Sequence, residues 1–500
     1  MRRALVPLTL TLALAAPAAS AIPIDAGHVR WVEPGDAWVS GGGLVRANAD
    51  AVHDVVRIAG DRAASYVQCG NGPWTTLNRA RDLASVPEPG IEALDGATGA
   101  PLWSIAWNTG GPGAERDAFE ILEAAHTGDL DGDGSDDVLV LRSSVAADRS
   151  TIVRRTTMYD ASTGSVRWET SETVPGDDAT IRAFLPADIF GEAGGVLLAI
   201  RISPDFTFET SVTLVTLPEG EAPEPFLELP VEDGIVIPIP VPYGDGIRVV
   251  TAVATINIGP PPSVSVDMRA IDVTLDEDRE VVVSTDWSRQ GVGGNPILVT
   301  GGDDPAIVTG DYKVHALDLD TGETRWTHPA DVSPEGGTLA LADVNGDGIE
   351  DVVASPRFGP EGTGLFTGGF FGEIIAIDGR DGAELWRQED AMGKFRAWAM
   401  RTADLEGDGT EELVASLAQQ DGFPLCSTPT DDPGAVAVYD LATGAKECHL
   451  PTDRFPSVVS AANVDGEAGD EILASTYGGS TYAFTNAEPG CGALAADPLR

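Results

Sequence analysis

Two short motifs alternate along this chain at a near-constant interval, and that interval limits the fold more than any other feature. The first is an apolar alternating run that ends at Asp, turns through Thr-Gly or Asp-Gly, and returns to a Trp. It occurs at Asp95, Gly99 and Trp103, at Asp160, Gly164 and Trp168, at Asp318, Gly322 and Trp326, and at Asp378, Gly382 and Trp386. A fifth copy, at Asp440 and Gly444, has Cys448 where the others have Trp. An Asp side chain that caps the turn and a glycine able to take positive φ describe a β-hairpin. The second motif is an acidic loop at 129–137, 343–351 and 404–412, each running into an apolar β-branched stretch that reads as a strand. Late in the chain both motifs recur about every 60 residues, a period that signals repeat architecture with one four-stranded unit per repeat.

The expected fold is therefore all-β, a single β-propeller. The units fall at about 44–107, 118–170, 180–230, 232–289, 295–328, 336–388, 394–450 and 455–487. That is eight four-stranded blades, with seven as the alternative because some units lack a clean hairpin and the fifth is short. The last unit ends on Ser480-Thr-Tyr-Ala-Phe484 without a return strand, while His28-Val-Arg-Trp31-Val lies near the N-terminus. That N-terminal strand is expected to complete the last blade and remove the open edges of the ring. The 58 Gly and 35 Pro suit a turn-dense chain, and no stretch shows long helical periodicity. The Pro-rich segments at 221–225 and 259–262 read as loops.

Residues 1–21 read as a signal peptide and 22–500 as the propeller domain. Arg2-Arg3 precedes a small-residue apolar run and Ala19-Ser-Ala21, which matches a cleavage site. The twin arginine raises export in the folded state as an alternative to general secretion. No later run is long enough to span a membrane. The expected location is secreted, extracellular or cell envelope, and the expected state is a monomer. Four cysteines in an exported chain favour two disulfides, assigned as Cys426 with Cys448 and Cys69 with Cys491, the second joining the first and last blades. The formal net charge of −48, with only Lys313, Lys394 and Lys446 as lysines, argues against nucleic acid and anionic lipid as partners.

The acidic loops carry oxygen ligands at the spacing a hard cation requires. In the first these are Asp129, Asp131, Asp133, the carbonyl of Ser135, and Asp137. In the second they are Asp343, Asn345, Asp347, the carbonyl of Ile349, and Asp351. In the third they are Asp404, Glu406, Asp408, the carbonyl of Thr410, and Glu412, where two longer Glu arms alter the geometry. Two further loops, Asn463 to Glu471 and Asp188 to Glu192, keep fewer ligands. The expectation is two to three structural calcium ions.

These loops resemble the FG-GAP or VCBS-type repeats of integrin alpha-like propellers, and the Trp hairpins resemble pyrroloquinoline quinone-like blade motifs. The resemblance covers most of the mature chain. It implies a secreted calcium-binding propeller used for adhesion, ligand binding or scaffolding, with an extracellular protein or glycan as partner. It does not extend to the quinone, since the vicinal cysteine pair of the quinoprotein dehydrogenases is missing. The repeat offset of Trp103, Trp168, Trp326 and Trp386 assigns them to packing between blades.

No catalytic residue is assigned. His28, His53, His126, His315, His328 and His449 share no metal-binding spacing, and Gly478-Gly-Ser480-Thr fails the nucleophile-elbow pattern. His126 precedes the first acidic loop and reads as a strand-end residue. Two carboxylates acting as acid and base leave no sequence signature, so a polysaccharide lyase or glycoside hydrolase stands as the alternative function. Binding is expected in the second to fourth units, which depart most from the repeat, and at the aromatic insertion 356–371.

Overall fold

The computed structural model describes residues 29–485 with interruptions, of which the longest are 61–89, 108–117, 356–372 and 420–433. Thirty-two strands form eight sheets of four. Blades 1 to 7 occupy 38–106, 118–175, 180–229, 235–290, 297–328, 338–389 and 395–452, each with its four strands paired in chain order. Blade 8 takes three strands from 456–484 and its fourth from Val29–Glu33, with Trp31 opposite Ala483. The N-terminal strand closes the ring as the sequence pattern requires. The innermost strand of each blade packs on that of the next, and blade 8 returns to blade 1. The first blade begins at Trp38 rather than Leu44, because Gly41 to Gly43 sit in a bulge that interrupts the alternation. Pro225, expected in a loop, lies in strand Glu224–Leu229. This is an outer edge strand, where proline removes no ladder bond.

The second strands are buried nearly end to end, as in Asp137–Ala146, Asp351–Ser355 and Glu471–Thr476. That position between two neighbours explains their continuous apolar reading. The core lies between blades. Trp103 donates its indole N–H to Ala161 O of blade 2 at 2.8 Å, Trp326 to Gly379 O of blade 6 at 2.8 Å, and Trp386 to Leu441 O of blade 7 at 2.9 Å. The turn glycine of each receiving hairpin has positive φ, 68° at Gly164, 76° at Gly382 and 70° at Gly444. A Cβ there would come within 3.0 Å of the incoming indole. Glycine is thus required twice, by the turn and by the tryptophan from the blade before.

Blade 4 contains the same device in a form the repeat spacing hides. Trp287 donates to Leu319 O of blade 5 at 3.0 Å and covers Gly322. Its third strand continues past Asp272 to Leu275 before the fourth begins at Val281, so the offset between Asp and Trp is lost. In blade 3, Leu227 holds the tryptophan's place opposite Leu214.

Candidate metal centre at the blade corners

Each blade has a corner, at one face of the ring, where the loop between its first two strands meets the hairpin between its last two. Three residues meet there by register: one at or near the start of the second strand, its partner at or near the end of the third, and one on the outer strand. The outer-strand residue is an extra one. In every blade the register slips next to the tryptophan position, leaving one residue of the outer strand unpaired. Such a bulge re-aims its side chain. The bulge residues include Leu102, Arg167, Phe226, Asp286, Arg325, Leu385 and Glu447.

The ninth residue of each acidic loop begins the second strand, and in blades 6, 7 and 8 it fastens the loop. Asp351 accepts from the amides of Val344 at 3.0 Å, Asn345 at 3.3 Å and Gly379 of the hairpin at 2.8 Å. Glu412 accepts from Leu405 N at 2.9 Å, and Glu471 from Val464 N at 2.9 Å. Blade 1 holds a copy that the sequence pattern misses. Asp54 accepts from Ala47 N at 2.9 Å, Asn48 N at 3.1 Å and Gly96 N at 3.0 Å. Its loop lacks the two glycines that mark the others, and only the spacing from Asn48 to Asp54 could have shown it. Burial raises the carboxyl of both Asp54 and Asp351 above the ordinary range, opposed by these amides.

Within each loop the remaining acids turn the backbone. Asp343 accepts from Asp347 N and Gly348 N, and Asp404 from Asp408 N and Gly409 N. Asp133, Asp347 and Asp408 each accept from the amide two residues on. The two loop glycines take positive φ in all three loops, for example 79° at Gly132 and 86° at Gly134.

The corners differ in how they neutralise charge. In blades 1 and 6 the third loop residue is Asn, and its amide donates across to the hairpin Asp: Asn48 to Asp95 at 3.4 Å, Asn345 to Asp378 at 3.3 Å. The bulge residue in both is leucine. In blade 2 the third residue is Asp131 and the bulge residue is Arg167. The Asp129, Asp131 and Asp137 carboxylates converge within 4.8 Å. The guanidinium of Arg167 reaches Asp131 at 3.1 Å, Asp133 at 2.5 Å and Asp137 at 2.9 Å, with Asp160 at 3.7 Å. Asp137 is withdrawn from solvent. Burial and then the charge of Asp131 push its pKa up to about 7, with Arg167 pulling the other way.

Blade 7 is the reverse case. Its third residue is Glu406 and its bulge residue is Glu447. Among the described residues no salt bridge reaches Asp404, Glu406, Asp408, Glu412 or Glu447. Burial, then the charges of Glu406 and Glu447, raises the Glu412 pKa. Glu447 is raised by burial, then by Asp440 and Glu406, and Asp470 of blade 8 is raised by burial and Asp404. Glu406, Glu412, Glu447 and Asp470 line a cavity of about 20 Å³ together with Cys448, Leu450 and Phe484, room for about one water-sized species. The cavity lies where the smaller Cys448 replaces the tryptophan of the other hairpins.

Chain comparison locates the hairpin repeats. Residues 272–492 match the family model for the outer membrane protein assembly factor BamB. The matched region begins at the corner Asp272 of blade 4 and runs through blade 8. A 1-butanol dehydrogenase (cytochrome c) from Thauera butanivorans is 34% identical over 117 residues, which is 23% of this chain and 15% of that protein. The chain thus spans a small part of that relative. Among solved structures, the WD40 domain of SCAP from fission yeast aligns over 92% of this chain and 98% of its own, at 9% identity and a TM-score of 0.44. BamB from Moraxella catarrhalis aligns over 79% and 91%, at 13% identity and 0.39. A rhamnogalacturonan lyase from Bacillus licheniformis aligns over 92% and 91%, at 13% identity and 0.41.

Of the other residues singled out from sequence, His126 lies in strand Ala118–Gly128, with its ring edge-on to Phe184 at 5.8 Å, and burial lowers its pKa. His328 is buried and accepts from Ala330 N at 3.2 Å. Tyr243 and Gly246 flank the two-residue turn between the first two strands of blade 4, with Gly244 at φ 58°. Asp188 to Glu192 likewise closes a tight turn, in which Phe190 takes φ 57°. Cys448 is buried, while Cys69, Cys426 and Cys491 lie outside the described residues, as do the signal segment, His28 and the insertion 356–371. Among the described residues no helix is long and apolar enough to cross a membrane.

Proposed function

We propose that this protein is an exported, non-catalytic binding or scaffolding propeller, stabilised by calcium in its acidic corners. One observation carries the reading. The carboxylates are distributed over register-equivalent corners and are used there to fasten loop to hairpin, rather than gathered in one blade as a reacting pair would be. The donor set suits calcium in blades 6 and 7: carboxylate, amide and carbonyl oxygens only, on a loop already turned by its own amides. Asp343, Asn345, Asp347, Asp351 and the carbonyl of Ile349 would hold one ion. Asp404, Glu406, Asp408, Glu412 and the carbonyl of Thr410 would hold another. In blade 6 the competing cation, Arg380, is 63% exposed and touches Asp347 alone, at 3.0 Å. The calcium supplies charge neutralisation and rigidity.

The binding surface we assign to the opposite face. All the corners lie on one face, while the turns between second and third strands and the links between blades lie on the other. The second strands of blades 1, 6 and 7 end on that second face at Gly60, Ser355 and Gln419. In blades 2 to 4 the second strands also run farther toward it, reaching Ala146, Ile202 and Asn257, than do those of blades 5 and 6, which end at Gly310 and Ser355. The partner is an extracellular protein or glycan. Removal of residues 1–21 on export and the Cys426–Cys448 and Cys69–Cys491 disulfides complete the proposal.

The test is a glycan and extracellular-protein binding screen on the mature chain, in calcium and in chelator, with polysaccharides also assayed for newly formed chain ends. Saturable binding without cleavage is the expected result. Turnover of any bound polysaccharide would overturn the non-catalytic reading.

A further inference from the structure

The blade 2 loop matches the calcium pattern in sequence, and in the fold its converging carboxylates face the guanidinium of Arg167. We infer that Arg167 is a tethered counter-ion standing in for a metal at 129–137, so that this blade is fastened independently of calcium. Its guanidinium lies within salt-bridge distance of three of the four carboxylates at the loop's ligand positions and of the hairpin Asp160, and it is only 14% exposed. A planar fork with several donors can serve several carboxylates at once. An entering ion would have to displace it while Arg167 remains attached to the strand beside it.

The other corners show that the relation is general. Blade 4 has the same corner with the charges exchanged. Arg248 of its second strand pairs with the hairpin Asp272 as Asp137 pairs with Asp160 in blade 2, and Asp286 is its bulge residue, where blade 2 has Arg167. Arg248 is 1% exposed and bonds Asp272 at 2.6 Å and Asp286 at 2.7 Å. In blade 5 the bulge residue Arg325 bonds Asp318 at 2.8 Å and Asp304 at 2.6 Å. Blade 3 removes charge altogether, with Gly194, Thr216 and the bulge residue Phe226 in the three places. Blades 1 and 6 use a neutral Asn in the loop and a Leu at the bulge. The loop residue and the bulge residue therefore change together: Asn with Leu, Asp with Arg, and in blade 7 Glu with Glu. Arginine stands at the corner in blades 2, 4 and 5, and the corner left with three carboxylates and no cation among the described residues is that of blade 7.

This inference rests on the calcium reading only for its comparison sites, and the experiment separates the two. Calcium binding is measured calorimetrically on the full mature chain, on Arg167→Gln, and on each with Asp343→Asn, Asp347→Asn, Asp404→Asn and Asp408→Asn added. Arg167→Gln should bind one more calcium than its parent in both backgrounds, with affinity for blade 2 raised about a hundredfold or more once the tethered charge is gone. No additional equivalent would overturn the inference. Absence of calcium from the unaltered chain would overturn the blade 6 and 7 reading instead. Should Arg167→Gln fail to fold, Asp131→Asn with Asp133→Asn in the presence of Arg167 decides the matter. The pair should lower the melting temperature equally in calcium and in chelator, and a larger loss in calcium would show that the native loop holds an ion.

Discussion

Blades 2 and 7 begin from nearly the same loop and arrive at opposite electrostatics. Both have acids at loop positions one, three, five and nine, both turn on two positive-φ glycines, and both place the ninth residue opposite the hairpin Asp. At the bulge of the outer strand they carry opposite charges, Arg167 in the first and Glu447 in the second. The loop sets where negative charge collects, and the bulge residue on the facing strand sets whether a side-chain cation balances it. A motif read without its facing strand is half of a site.

The largest expected effect comes from turning blade 2 into blade 7. Arg167→Glu leaves the 129–137 carboxylates unbalanced against a further acid, and losing one side of such a partly buried network costs about 3 to 5 kcal/mol. Chemical denaturation in chelator should show that loss, and calcium should recover part of it. The opposite exchange comes next. Chelator is expected to lower the melting temperature of the unaltered chain by several degrees, since an ion present at about a hundred times its Kd contributes about 2.7 kcal/mol. Glu447→Arg should raise the melting temperature in chelator and shrink the calcium-dependent shift. A shift that is unchanged by Glu447→Arg would place the calcium dependence in blade 6 instead.

A smaller effect distinguishes the neutral corners from both. Asn345→Leu removes the amide that accepts from Asp347 N and donates to Asp378. It should cost about 1 kcal/mol in chelator, and more in calcium if Asn345 is also a ligand. The same change at Asn48, whose loop has Arg46 in place of the first acid, should cost a similar amount in both conditions.

The ring was legible in the sequence because its determinants are local. An Asp, a turn glycine and a tryptophan at a fixed offset mark a hairpin, and a terminal unit short of one strand marks the closure by Val29–Glu33. Blade 4 was not legible as a hairpin because its strands run on past Asp272, to Leu275 and from Val281, which lengthens the offset between Asp272 and Trp287 without altering the packing of the indole on Gly322. The corner chemistry was half legible. The loop acids declare themselves by spacing, but Arg167 and Glu447 sit about thirty residues beyond their loops, on the far side of two strands. They also occupy a bulge, which breaks the alternation by which facing side chains are read from sequence. Arg248 was less legible still, since it fills an acid's place with the opposite charge and the tight turn at Tyr243 to Gly246 removes the loop that would have marked it.

The smallest expected effect is a pH dependence that belongs to blade 7 in chelator. Burial and mutual repulsion raise the pKa of Glu412 and Glu447 in the folded protein. The folded chain then holds protons that the unfolded chain has released, so stability rises as the pH falls through the raised values and the gain is complete near the ordinary glutamate value of 4.5. Asp137, with its pKa pushed up to about 7, acts in the same direction over a window reaching neutral pH. Asp160, Asp178 and Asp318 are held below the ordinary range with help from hydroxyl and arginine donors, and they withdraw stability only at lower pH. Burial lowers the pKa of His126 and His328, which withdraw stability as the pH falls below the ordinary histidine value of 6.5. The blade 7 share is therefore read in chelator as the difference between the unaltered chain and Glu447→Gln, which should grow from pH 8 toward about pH 5. With calcium present the blade 7 share should vanish, because a bound ion requires ionised ligands and competes with the protons. If Glu447→Gln leaves the slope in chelator unchanged, the carboxylates of blade 7 are not the groups taking up the proton, and the contrast with blade 2 reduces to the arginine alone.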